Sequence, residues 1–97
     1  MLKKTPVKKT NKTSVTFALK SLDEVAEVGL AGEFNDWQPT EMKQRKDGTW
    51  AATVRLPNDE RFEYRFVLDG DTWIADEDAD DFVANPFGGR NSVCDLT

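Results

Sequence analysis

Three aromatic side chains stand where nothing in the local pattern calls for a large apolar ring. Trp37 lies in the turn-rich run Glu33-Phe34-Asn35-Asp36-Trp37-Gln38-Pro39, and Phe87 lies in the loop Asn85-Pro86-Phe87-Gly88-Gly89. Trp73 neighbours Ile74, and adjacent residues of a strand point to opposite faces, so a core position for Ile74 turns Trp73 outward. Flat apolar faces displayed at a surface suit the apolar faces of pyranose rings, while Asn amides and a cationic side chain can hydrogen-bond the hydroxyls. The alternative for each ring is ordinary packing beneath a loop. Trp50 differs, because it alternates in step with Ala52, Val54 and Leu56 and reads as core.

Other chemistries find little support. There is no histidine, which removes the side chain best suited to proton transfer near neutral pH and the commonest metal ligand. The single cysteine, Cys94, allows neither an internal disulfide nor a thiolate zinc cluster, and its place in a terminal strand predicts an inert buried thiol. In the acidic run, Asp76, Asp78 and Asp80 fit the first, third and fifth positions of a calcium-binding EF loop. The glycine needed next is Asp81, and the closing Glu is Phe87, so a solvated acidic loop is the better expectation. For glycosidase chemistry, a carboxylate pair such as Glu63 and Asp76 would need a cleft holding both carboxyls, and so small a chain has little interior to spare. Gly88-Gly89-Arg90 lacks the context and the Lys-Ser/Thr ending of a phosphate loop. No catalytic residue, metal or cofactor is therefore expected.

Charge narrows the partners. The formal net charge of -5 conceals a split, since Lys3, Lys4, Lys8, Lys9 and Lys12 stand in the first twelve residues without an acid. The remainder, 13–97, holds 8 basic against 18 acidic groups and repels polyanions, which argues against nucleic acid. An uncharged ligand meets no such repulsion. No apolar run is long enough to cross a bilayer, and no signal-peptide stretch follows the basic start, so cytoplasmic residence without membrane contact is expected.

The elements that must position these residues follow from a period of two. Residues 1–13 lack periodicity and self-repel, and are expected as a mobile basic arm ahead of one domain, 14–97. Val15, Phe17 and Leu19 mark a first strand, and Val28 and Leu30 a second ending at Gly32. A long connection, 33–48, closes on the hairpin-grade turn Asp47-Gly48. Trp50 to Leu56 and Phe62 to Leu68 alternate most clearly, with Phe62, Tyr64, Phe66 and Leu68 inward and Glu63, Arg65 and Val67 outward. Thr72 to Ala75 form a short fifth strand, and Ser92 to Leu96 the last. Short strands at this spacing, with no helix of any length, predict an all-β fold: an immunoglobulin-like antiparallel β-sandwich in a single domain. Its expected core is Phe17, Leu19, Val28, Leu30, Trp50, Val54, Phe62, Tyr64, Phe66 and Val93.

Four ordered motifs add a resemblance. Gly32-Glu33-Phe34-Asn35-Asp36-Trp37, Asp47-Gly48-Thr49-Trp50, the run from Phe62 to Gly70, and Trp73 followed by Asn91-Ser92-Val93 resemble the glycogen-binding module of the AMP-activated protein kinase β subunit. The same pattern marks the family 48 carbohydrate-binding modules, including the N-terminal domains of isoamylase-like and branching enzymes. The resemblance spans roughly residues 14–96. It implies the early-set type of the immunoglobulin-like sandwich, and a non-catalytic module that binds an α-1,4-glucan such as glycogen or a starch-like oligosaccharide. Trp37 and Trp73 would be the stacking platforms, Arg65 would stand in the place of a lysine, Phe87 in that of a loop-tip leucine, and Asn91 in that of an asparagine. One extra residue, in Asp71-Thr72, separates the Asp-Gly turn from the second platform. No amylase-type catalytic segment is recognisable within the 97 residues, so catalysis by the family's larger proteins is not expected to carry over. A protein partner, such as an enzyme of glycogen metabolism or a kinase, remains open. So does a scaffold module using the exposed aromatics as its contact surface. Convergence of Trp37, Arg65, Trp73 and Asn91 on one face would favour the sugar.

Overall fold

The computed structural model describes residues 2–97. Along them run ten strands: β1 (Leu2–Pro6), β2 (Lys12–Leu19), β3 (Val28–Gly32), β4 (Thr40–Glu41), β5 (Lys43–Gln44), β6 (Trp50–Pro57), β7 (Arg61–Leu68), β8 (Thr72–Ile74), β9 (Asp81–Ala84) and β10 (Arg90–Asp95). A 3-10 turn, Glu33–Asn35, follows β3. One sheet has the order β1-β2-β6-β5 and the other β4-β3-β7-β10-β9, with β8 added to β7. Every pairing is antiparallel, and the two sheets face each other as a β-sandwich.

The alternating sequence explains the layers. Inward residues of β2 (Val15, Phe17), β3 (Val28, Leu30), β6 (Trp50, Leu56) and β7 (Tyr64, Phe66) meet between the sheets. Tyr64 packs edge-on against Phe17 at 4.8 Å and against Phe66 at 6.0 Å between ring centroids. Its hydroxyl donates to Asp76 at 2.7 Å, whereas the Trp50 indole nitrogen, also buried in this core, has no hydrogen-bond partner. Asp76 is itself buried, and its backbone amide donates to the Ser92 hydroxyl. Burial first, and the neighbouring carboxylate second, hold the Tyr64 phenol far above its ordinary pKa.

Several expectations change. Leu2–Pro6, expected within a mobile arm, is an edge strand in register with 13–17. Leu2 is half-buried against the core, and Lys4 reaches over to Asp80 at 2.6 Å and to the Asp95 carbonyl at 2.9 Å. Residues 75–80 form the expected acidic loop, its acids mostly exposed, but the run is tied down at several points. Asp76 is buried, Asp80 bonds Lys4, Glu77 pairs with Arg90, and Asp81 opens β9, where Arg61 holds it at 2.6 Å. That guanidinium and the Phe82 amide draw the Asp81 carboxyl below its usual range. Leu19, Val54 and Phe62 are only half-buried, whereas Met42, read as loop, is 1 % exposed. Val67 does point away from the core, yet it is buried, with Trp73 directly opposite on β8. Cys94 is buried as expected, and burial pushes its thiol up to about 11.

Candidate functional site

On the outer face of the second sheet, β7 is flanked along one edge by two strands in succession. β10 pairs with residues 61–64 and β8 with 66–68, leaving Arg65 at the break between them. Alternation sets Glu63, Arg65 and Val67 outward, and the register puts Trp73 on the same face through Val67. Asn91, two positions before the outward Val93, also faces out.

Trp37 reaches this face through the turn after β3. Gly32 allows the turn, because a Cβ there would lie 2.7 Å from the Glu63 carbonyl oxygen and 2.9 Å from the Tyr64 Cβ. Phe34 drives its ring into the core edge, 5.4 Å from Phe17 and 6.3 Å from Phe62. Asn35 ties the turn shut: its amide donates to the Leu30 carbonyl and the Thr40 hydroxyl, and its oxygen accepts from the Gly32 amide, all between 2.9 and 3.1 Å. Asp36 and Trp37 then take left-handed conformations, with φ of 54° and 60°. Two successive residues in this region reverse the chain and leave the Trp37 ring half-buried at the edge of the sheet. The spacing Phe-Asn-x-Trp thus has a mechanical meaning: anchor, latch, reversal, platform.

Where β3 ends, continued pairing would bring Glu33 opposite Glu63, but the chain has left the sheet. The Glu33 carboxylate takes over as acceptor for the Glu63 amide at 2.7 Å. From Glu63 a chain of hydrogen bonds crosses the site. Asn91 Nδ2 donates to Glu63 Oε1 at 3.0 Å, Asn85 Nδ2 donates to Asn91 Oδ1 at 3.0 Å, and the Phe87 amide donates to Asn85 Oδ1 at 2.8 Å. The relay ends at a loop whose tip ring, Phe87, is 97 % exposed. Behind the tip, Gly89 has φ +68°, and a Cβ there would stand 3.2 Å from an Arg65 terminal nitrogen. Glycine therefore lets the loop come down over the guanidinium. Arg65 Nη2 donates to the Trp73 carbonyl at 3.4 Å, and its Nε is buried without a partner.

Trp37, Arg65, Trp73, Phe87 and Asn91 all line one open groove of about 500 Å³. Glu33, Glu63, Asn85 and Pro86 complete its walls, and sequence reasoning missed them as groove residues. The strand alternation marked Glu63 as outward, which was the available signal. Glu33 and Asn85 had none, because their positions depend on the exit from β3 and on the relay. Trp73 is 38 % exposed, whereas Asn91 is only 7 % exposed and has both side-chain heteroatoms bonded within the protein. Arg90 does not join the groove; it pairs with Glu77 and lies 3.8 Å over the Phe82 ring. Glu63 and Asp76 lie apart, the first on this outer face and the second buried beside Tyr64.

Residues 7–97 match the family described as the glycogen recognition site of AMP-activated protein kinase. The match takes in part of the basic N-terminal segment as well as the sandwich. A search of curated proteins finds no match.

Proposed function

Since the chain belongs to the family of glycogen recognition sites of AMP-activated protein kinase, a carbohydrate-binding family that is normally non-catalytic, we propose that its groove binds an α-1,4-glucan by aromatic stacking. Trp37 and Trp73 stack on glucose rings, and Phe87 covers the chain from the loop tip. Arg65 donates to hydroxyls, and Asn91 adds the one amide hydrogen left after its bond to Glu63. The Glu33 carboxylate, exposed at the groove wall, is a further acceptor. The observation that carries this reading is the convergence of two indoles, a phenyl ring, a guanidinium and an amide on a single groove. No reaction is proposed: Glu63 and Glu33, the groove's two carboxylates, are engaged in holding Asn91 and the β7 backbone.

Stacking covers one face of each ring, so each platform contributes about 1–2 kcal/mol. After the cost of association, the site is weak, roughly micromolar to millimolar. The many chain ends of a glycogen particle raise effective affinity only where several modules act together. Electrophoresis through a native gel containing glycogen tests the reading. The parent protein is expected to be retarded, and Trp37→Ala and Trp73→Ala to run as in a glycogen-free gel. A parent that is not retarded, or folded variants retarded equally, would refute it.

A further inference from the structure

The sheet β1-β2-β6-β5 turns its solvent face away from the groove, and that face is unlike the rest of the molecule. None of its four strands contains an Asp or a Glu, in a chain with 18 of them. Cross-strand partners share a face, so the register sets Lys3, Lys12, Lys43 and Arg55 outward together. Between them the surface is low, made by Thr16, Ala18, Ala51 and Thr53, with the two threonine hydroxyls hydrogen-bonded at 2.9 Å. Among the described residues the ion pairs belong to Lys4, Arg61 and Arg90, so these four outward cations are not neutralised internally. A shallow hollow of about 400 Å³ at one side includes Lys43, Arg45 and Thr53 and is bordered by one carboxylate, Glu41.

We propose that this acid-free face docks a protein surface carrying clustered carboxylates, so that the module can hold a glucan on one face and an acidic partner on the other. The docking surface itself does not rest on the glucan reading; only joint occupancy does. A flat sheet face with a low centre and a charged rim fits another flat protein surface. A bilayer fits poorly, since the exposed large apolar residues, Leu22, Trp73, Val83 and Phe87, all lie outside this sheet. Nucleic acid fits poorly as well, since the outward residues of this face include no aromatic ring on which a base could stack. A second copy holds Glu77, Asp80, Asp81 and Asp95 in its own ion pairs but still exposes Asp23, Glu24, Glu27, Asp69 and Asp71, so the oligomeric state must be measured beside the binding. Strand spacing and rise make the face roughly 400 Å². That is half of the ~800 Å² per partner of a standard interface, so the contact is weak, reversible and salt-sensitive.

Immobilised poly-L-glutamate is the probe, with binding followed by interferometry at about 20 mM and about 300 mM NaCl. The double reversal K43E/R55E is expected to weaken binding at least about tenfold, and the milder K43Q/R55Q about threefold. K8E/K9E, in the β1–β2 turn, should stay within about twofold, and the higher salt should weaken the parent about tenfold. Saturating maltoheptaose should leave poly-glutamate binding unchanged, and maltoheptaose affinity should be the same in K43E/R55E. Equal losses in K8E/K9E and K43E/R55E would overturn the assignment of the face. Tighter binding to phosphatidylserine vesicles or duplex DNA would overturn the assignment of the partner. A dimer seen by light scattering and abolished by K43E/R55E would replace the acidic partner with a second copy. Displacement by maltoheptaose would overturn joint occupancy while leaving the glucan reading intact.

Discussion

Phe87 separates binding from folding more cleanly than any other residue of the groove. Its ring is 97 % exposed, so Phe87→Ala removes almost no packing and should leave the melting temperature within about 1 °C of the parent. A phenylalanine presents on the order of 150–200 Å². A sugar lying against one face of the ring covers about 50 Å² of it, which at ~25 cal/mol per Å² is about 1.3 kcal/mol, or roughly an eightfold loss of affinity. Phe87→Leu keeps part of that area and should lose about threefold. Calorimetric titration with maltoheptaose measures the affinity, and a thermal melt monitored by circular dichroism measures the fold. Affinity within about twofold of the parent would refute the idea that this loop covers the ligand. A melting temperature lowered by several degrees would refute the exposure on which the calculation rests.

Other residues test the supports beneath the groove. Gly32→Ala forces a Cβ against the Glu63 carbonyl oxygen and should cost about 1–3 kcal/mol, seen as a melt roughly 5–15 °C lower; an unchanged melt would show that the β3 exit has room to spare. Glu63→Ala breaks the relay to the Phe87 loop at its first bond, so maltoheptaose affinity should fall about fivefold, with Glu63→Gln restoring it because the amide oxygen can still accept from Asn91. Equal affinities in all three proteins would show that the relay does not position the loop. Cys94 titrates at about 11 in the folded protein, so at pH 8 iodoacetamide should label the native thiol far more slowly than the denatured one. The unfolded thiol ionises first, near its ordinary pKa of about 8.5. The contribution of Cys94 to stability is therefore whole below that pH and is lost as pH rises towards about 11, and Cys94→Ala should flatten this part of the pH–stability profile.

The sandwich was legible wherever a strand has one wet and one dry face. Phe62 to Leu68 alternates because β7 runs through the middle of its sheet over the core, and Trp73 and Ile74 divide between surface and interior as strand neighbours must. The edge strand β1 carries no such pattern. Its lysines face solvent or cross to Asp80, and it exists because β2 offers it hydrogen bonds. β9 was hidden for a related reason, since its acidic neighbourhood suggests a loop until Lys4 and Arg61 are seen to hold Asp80 and Asp81. Met42 shows the limit from the other side: a lone apolar residue in a polar connection has no period to announce it, yet its amide bonds the Val28 carbonyl and its side chain fills the core.

Within the groove, the aromatic residues stood out because no periodic face accounted for them. The polar partners did not, because an asparagine or a glutamate in a loop looks like any other soluble residue until distances are known. Asn91 is the instructive case. The family resemblance gives it a sugar hydroxyl as partner, while the structure spends most of its capacity on Glu63 and Asn85 and leaves it 7 % exposed. The Phe-Asn-x-Trp motif was visible as residues, but its action was not. That action depends on two left-handed residues in succession and on a glycine pressed against a carbonyl of the next strand.

The central claim is that the groove holding Trp37 and Trp73 takes an α-1,4-linked glucan, and tryptophan fluorescence during parallel titrations with maltoheptaose and cellohexaose tests it most directly. The account predicts a saturable change with maltoheptaose at micromolar to millimolar concentration, lost in the Trp37→Ala/Trp73→Ala double variant, and little response to the β-linked oligomer. No change up to about 10 mM maltoheptaose, or an equal response to cellohexaose, would contradict it.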